Sequence, residues 1–145
     1  MAATTKSTDE EWLFKEPSYL TPYRNPNYKP WHLRLQKAMR QFVDENLMPH
    51  ADKWEEQGKV PLSIYKLCYE KGFYSLGYPV KYGGQLFEGK YEMDKYAAII
   101  RSYETARTGA SGLNTTIWGS MSIGVPPIIN HGSEYLKEKY ARPVL

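Results

Sequence analysis

The chain has 145 residues, 41% of them hydrophobic, with 19 Lys and Arg against 16 Asp and Glu for a net charge of +3. That length suits one domain with a real core, and the interleaving of basic with acidic residues argues against a nucleic-acid-binding stripe. Cys68 is the only cysteine, which excludes a disulfide framework and a cysteine metal site and fits a reducing, cytosolic setting.

The first twelve residues, MAATTKSTDEEW, hold no apolar run and carry Asp9, Glu10 and Glu11, unlike a signal or transit peptide. Residues 1–30 then carry Pro17, Pro22, Pro26 and Pro30 among Tyr19, Tyr23 and Tyr28. Prolines at that spacing forbid a helix longer than a turn or two and predict an extended arm lying on this domain or on a neighbour. From Trp31 the period changes. Leu35, Ala38, Met39, Phe42, Val43 and Leu47 mark one apolar stripe, with Arg34, Lys37, Gln41, Asp44 and Glu45 opposite, which is the pattern of an amphipathic helix. Pro49 either kinks that helix or opens a second segment running to Gly58.

Pro61 suits the first helical position and Gly72 the position just past the end of a short helix that turns Ile64, Leu67 and Cys68 inward. Residues 73–91, with Gly77, Gly83, Gly84, Gly89 and Pro79, carry turn chemistry over a length that marks a functional or interface loop. Met93, Tyr96, Ala97, Ile100 and Tyr103 form the next helical stripe, closed by Thr108 and Gly109.

Residues 111–132 are the longest run without a charged side chain and form the predicted centre of the fold. Leu113, Ile117 and Met121 recur every four residues, as do Asn114, Trp118 and Ser122, giving one aliphatic face and one mixed face. Ser111 is the expected N-cap, and Pro126 with Pro127 should stop the helix after about four turns. The run is too short and too rich in Asn, Thr and Ser for a membrane span. Ser133 caps a last helix, SEYLKEKY. With about five helices, no credible strand pair and no internal repeat, the expected fold is an all-α antiparallel helix bundle.

Several short motifs fail on their chemistry. Gly84 to Lys90 reads G-x-x-x-x-G-K, but the next position needs a Ser or Thr hydroxyl for magnesium and holds Tyr91, while Glu88 would repel phosphates. Tyr-x-x-x-Lys occurs at both Tyr91/Lys95 and Tyr135/Lys139, as chance predicts in a chain with 13 tyrosines. His32, His50 and His131 have no second ligand at helical spacing, so helix-surface or capping roles are expected and no metal site. No spacing pairs a nucleophile with a base, and no catalytic residue is assigned.

Taken in series, PHADKWEEQGKVP, YEKGFYSLGYPVKYGG and GSMSIGVPPIINHGSEYLKEKYARPVL resemble the N-terminal helical domain of the acyl-CoA dehydrogenase family over about residues 31–145, with the arm outside. Pro49, Gly72, Pro79, Tyr82, Gly83, Gly84, Gly132, Ser133 and Glu134 hold the family's recurrent places. The resemblance implies an FAD enzyme that forms a C2=C3 double bond in an acyl-CoA thioester. It also implies a β-domain and a second helical domain as partners, carrying most of the flavin site, and a homo-oligomer. The expectation is therefore a fragment, inactive and flavin-free alone. Asn114, Thr115, Trp118 and Ser122 align with positions that line the family's acyl-chain pocket, and the bulk of Trp118 implies short or branched acyl groups. For these four, ordinary helix packing stands beside the substrate-binding role. A second reading of the whole chain is a non-catalytic helical interaction module.

Overall fold

The computed structural model describes residues 26–145, so the expected arm lies almost wholly outside the described residues. Of its end, Tyr28 lies on the domain itself, its ring 5.7 Å from that of His32 and 5.9 Å from that of Tyr96. Six helical elements follow. Helix α1 is Pro30–Asn46, with Pro30 in the first turn where its missing N–H costs nothing. A 3₁₀ turn, Met48–His50, carries Pro49 and leads into α2, Ala51–Gln57, so Pro49 opens a second segment instead of kinking one long helix. Helix α3, Leu62–Glu70, starts one residue after Pro61, which serves as N-cap, and ends before Gly72 at φ 74°. Helix α4 is Lys95–Ala106 and is capped by Asp94, whose carboxylate accepts the Ala97 N–H at 2.9 Å.

The central helix, α5, has three parts: an α-helical turn Ser111–Asn114, a wider π-wound stretch Thr115–Gly124, and an α-helical end Val125–His131. The prolines therefore do not stop it. Pro126 and Pro127 fall at the first turn of the last part, directly after the wider winding, where the clash of a proline ring with the preceding turn is relieved. Helix α6 is Glu134–Leu136 continued by π-wound Lys137–Ala141, and Ser133 caps it as expected. Among the described residues the only β pairings are isolated bridges, Leu76 with Gln85 and Phe87 with Tyr91.

Helices α1 and α4 form the main packed pair, and they run parallel. His32 meets Asp94 at 3.0 Å near their starts, Arg40 meets Glu104 at 2.9 Å further on, and Asp44 meets Arg107 at 2.8 Å near their ends. The pair thus departs from simple antiparallel alternation, because α2, α3 and the long loop that follows α3 return the chain to the end from which α1 set out. The main core joins Leu35, Met39, Phe42 and Val43 of α1 to Cys68, Phe73, Leu76, Ile100, Leu113 and Ile117. A second cluster holds Tyr82, Met121, Val125, Ala141 and Leu145. Of the apolar Pro143–Leu145 stretch, Leu145 is buried in this cluster while Pro143 and Val144 are exposed.

The N-terminus of α5 corrects a second expectation. Ala110, not Ser111, is the N-cap, and no side chain of the helix caps it. Glu55 of α2 does so from outside, accepting the Leu113 N–H at 2.6 Å. A Cβ on Gly112 would stand 2.7 Å from Glu55 Oε2, so a side chain there would displace the capping carboxylate.

Candidate functional site

The central helix presents its two faces as the four-residue spacing predicts. Leu113, Ile117 and Met121 are buried. On the other face, Asn114 and Trp118 are half-buried, while Thr115 and Ser122 are exposed. Asn114 Nδ2 donates to the Thr105 carbonyl and to Thr108 Oγ1, both at 3.1 Å, tying α5 to the end of α4. Its Oδ1 is buried with no hydrogen-bond partner among the described residues, and so is Nε1 of Trp118, one turn further on. The indole packs on the main core with its ring 6.3 Å from that of Tyr74. The Ser122 hydroxyl donates to the Gly119 carbonyl at 3.3 Å, a local bond within the helix. Buried polar atoms without partners are uncommon in native folds, and two of them one turn apart single out this face.

Two motifs that are far apart in sequence meet in space. Tyr82, of the P-x-x-Y-G-G loop, donates its hydroxyl to Glu134 at 2.6 Å, and Lys81 reaches the same carboxylate oxygen at 2.8 Å. The Lys81 ammonium, with Tyr82 and Lys137 beside it, holds the Glu134 carboxyl down at about 2. Gly83 takes φ 102°, and a Cβ on Gly84 would lie 1.8 Å from the Tyr78 carbonyl oxygen, so both places demand glycine for steric reasons.

The G-x-x-x-x-G-K segment does not fit the pyrophosphate of a flavin. Five of its seven amides are already used: Gly84 N donates to Pro79, Gln85 N to Ser75, Phe87 N to Tyr91, Gly89 N to Leu86 and Lys90 N to Phe87. Glu88 instead accepts two bonds from Arg34, at 2.7 and 2.8 Å, which holds its carboxyl below the ordinary range and pins the loop to α1. Among the described residues no three His, Cys, Asp or Glu side chains gather to hold a metal ion, and no helix is long and apolar enough to cross a membrane.

His50 and His131 sit at helix ends, as expected. His32 takes the capping role of the two expected, but from a buried position. It is fully buried in the first turn of α1, where Nδ1 accepts the Lys29 N–H at 3.0 Å and Nε2 faces both oxygens of Asp94 at 3.0 Å. Sequence reasoning also missed Glu104, wholly buried within the apolar stripe of α4 and held by Arg40 through two bonds of 3.0 and 2.9 Å. The available signal was the matched spacing, Arg40 to Asp44 on one helix and Glu104 to Arg107 on the other.

A helical domain with this core, this glycine-paired loop docked on Glu134 and this uncharged central helix has clear counterparts. The sequence pattern described as acyl-CoA dehydrogenase, N-terminal domain, matches residues 29–145. The chain belongs to that family, as its N-terminal helical domain. It is 34% identical over 142 residues to the acyl-CoA dehydrogenase apdG of Emericella nidulans, covering 91% of this chain and 32% of that protein. It is 33% identical over 107 residues to the glutaryl-CoA dehydrogenase of Desulfococcus multivorans, covering 73% and 26%. The crystal structure of an acyl-CoA dehydrogenase from Geobacillus kaustophilus superposes with a TM-score of 0.68 at 25% identity, over 83% of this chain and 30% of that one. The chain therefore spans about a quarter to a third of the length of these curated relatives.

Proposed function

We propose that this chain is the acyl-binding helical domain of an FAD-dependent dehydrogenase that forms a C2=C3 double bond in an acyl-CoA thioester. The relatives' names and the family match over residues 29–145 support the reaction class. We assign the flavin chemistry to other parts of such an enzyme, since five of the seven amides of the glycine-rich loop here are already bonded within the chain. The role left for these residues is to wall the acyl chain. The observation that carries it is the placement of Asn114 and Trp118, half-buried one turn apart on the uncharged central helix, on the face that the family resemblance assigns to the acyl tail. Thr115 and Ser122, exposed beside them, form the rim.

In this reading the indole fills space that would otherwise take several methylenes, each worth about 0.8 kcal/mol when buried, and the enzyme prefers short or branched acyl groups. Trp118→Ala in the intact protein should move kcat/KM toward longer acyl-CoAs, by up to about tenfold for each methylene accommodated. Measuring the acyl-length profile together with the melting temperature decides the matter. An unchanged profile with a stability loss of about 3 to 5 kcal/mol would assign Trp118 to packing and refute the pocket role.

A further inference from the structure

A cleft of about 400 Å³ lies between the start of α4, the loop at residues 76–78 and the C-terminal part of α5. It contains none of the four residues of the acyl-chain face. Asp94, Ala98 and Arg101 stand at i, i+4 and i+7, so one face of α4 lines the cleft. The adjoining face, with Ala97, Ile100 and Glu104, is buried. Leu76, Met93, Ala98 and Ile129 make much of the wall apolar. The Tyr78 hydroxyl donates to the Met121 carbonyl and ties the loop to the central helix, which fixes the cleft's shape.

The unusual feature is Arg101. The other described arginines all have carboxylate partners: Arg34 with Glu88, Arg40 with Glu104, Arg107 with Asp44 and Arg142 with Glu138. Arg101 is half-buried, has no carboxylate within ion-pair reach among the described residues, and lines the cleft. Burial pulls its pKa below the usual guanidinium value. The nearest candidate partner on its own face, Asp94, is already engaged by His32 and by the Ala97 N–H. A half-buried cation without a counter-charge is costly, and a planar guanidinium suits a two-oxygen anion.

We propose that this cleft binds a small aliphatic monocarboxylate, with its carboxylate on Arg101, Lys95 at the rim, and its hydrocarbon body against Leu76, Met93, Ala98 and Ile129. The charges select a monoanion: Arg101 and Lys95 against Asp94 leave one net positive charge, and Asp94 in the same wall repels a dianion such as phosphate. The apolar wall selects an acid with a hydrocarbon body over a bare anion. The site is separate from Asn114 and Trp118, and its existence does not depend on the dehydrogenase reading.

The test is a two-dimensional amide NMR titration of the 145-residue chain with hexanoate, with acetate, hexanol and inorganic phosphate as comparisons. Hexanoate should bind saturably and shift amides around residues 76, 98, 101 and 129, at least tenfold more tightly than any of the other three. Arg101→Gln should weaken hexanoate at least tenfold, and Arg101→Lys should keep part of the affinity. Ala98→Phe, which fills the cleft while keeping the arginine, should abolish binding and serves as a second variant should Arg101→Gln fail to fold. Equal binding of hexanol or phosphate, unchanged affinity in Arg101→Gln or Ala98→Phe, or no saturable shift at all would overturn the proposal. Acetate binding as tightly as hexanoate would remove the apolar half of it.

Discussion

Glu104 is the residue on which the α1–α4 pair turns. It lies at zero exposure between two arginines, with two short bonds from Arg40 and a longer contact of 3.4 Å from Arg107. A charge so placed is tolerable only while its partners are present, and removing one member of such a pair strands the other. Glu104→Gln should therefore cost about 3 kcal/mol in urea denaturation, whereas a surface ion pair such as Lys66–Glu70 should cost less than about 1 kcal/mol. An effect of Glu104→Gln no larger than that of Lys66→Gln would show that the pair is not a structural anchor. His32 makes the complementary point. Its buried ring links the Lys29 amide to Asp94, so one side chain joins the start of α1 to the cap of α4. Cys68 is also fully buried, and burial pushes its thiol up to about 12, which leaves it a packing residue and not a nucleophile.

At the scale of elements, helix ends and loop ties depend on carboxylates from elsewhere in the chain. Glu55 serves the N-terminus of α5, where a negative group both accepts an orphan N–H and meets the positive end of the helix dipole. Glu55→Ala should cost about 1 kcal/mol, the usual effect of losing a cap, and amide exchange at residues 111–114 should quicken locally. The loop and α6 are joined by Glu134, the loop and α1 by Glu88, and α1 and α4 by Asp94. The first two are held below their ordinary pKa by Lys81 and Arg34 respectively. For Asp94 burial works in the upward direction, but the Ala97 N–H and the His32 ring outweigh it, and the net shift is downward. A carboxylate depressed in the folded state stabilises the fold above its unfolded pKa and loses that contribution as pH falls through the folded value. For Glu134 the window runs from about 4.5 down to about 2. Melting temperature should therefore decline as pH falls below about 4.5, and Glu134→Gln should make that decline shallower while leaving the pH 7 to 5 range flat. Parallel curves for the two proteins would show that the Glu134 contacts add nothing to stability.

For the whole molecule, the question is what covers its exposed apolar groups. Leu62 is 82% exposed, Ile123 71% and Ile99 57%, each far more open than a core-facing helix position. Relatives that share this domain are about three times as long, so other domains are available to cover such faces in them. Alone, the 145-residue chain should self-associate through these faces as its concentration rises. Static light scattering should give a mass that grows with concentration, and Ile123→Glu should reduce the growth. A constant monomer mass up to high concentration would refute this.

The sequence by itself determined the helical stripes, the positions of Gly72 and Ser133, the inward faces of α1 and α5, and the family, because these depend on periods of three to four residues and on motifs of local steric origin. Gly84 was legible as part of a motif, since the turn it makes leaves no room for a Cβ. Tertiary structure decided the rest. The parallel course of α1 and α4, the burial of His32 and Glu104, the capping of α5 by Glu55 and the passage of α5 through Pro126 all rest on partners about 58 to 64 residues away or on a change of helical winding, as the pairs Glu55–Leu113, His32–Asp94 and Arg40–Glu104 show. The candidate acyl-chain face followed from resemblance to the family, whereas the orphaned atoms on it and the unpaired Arg101 in its cleft came only from the packing. Local periodicity records which face turns inward; it does not record which side chain, brought there by another helix, waits on the other side.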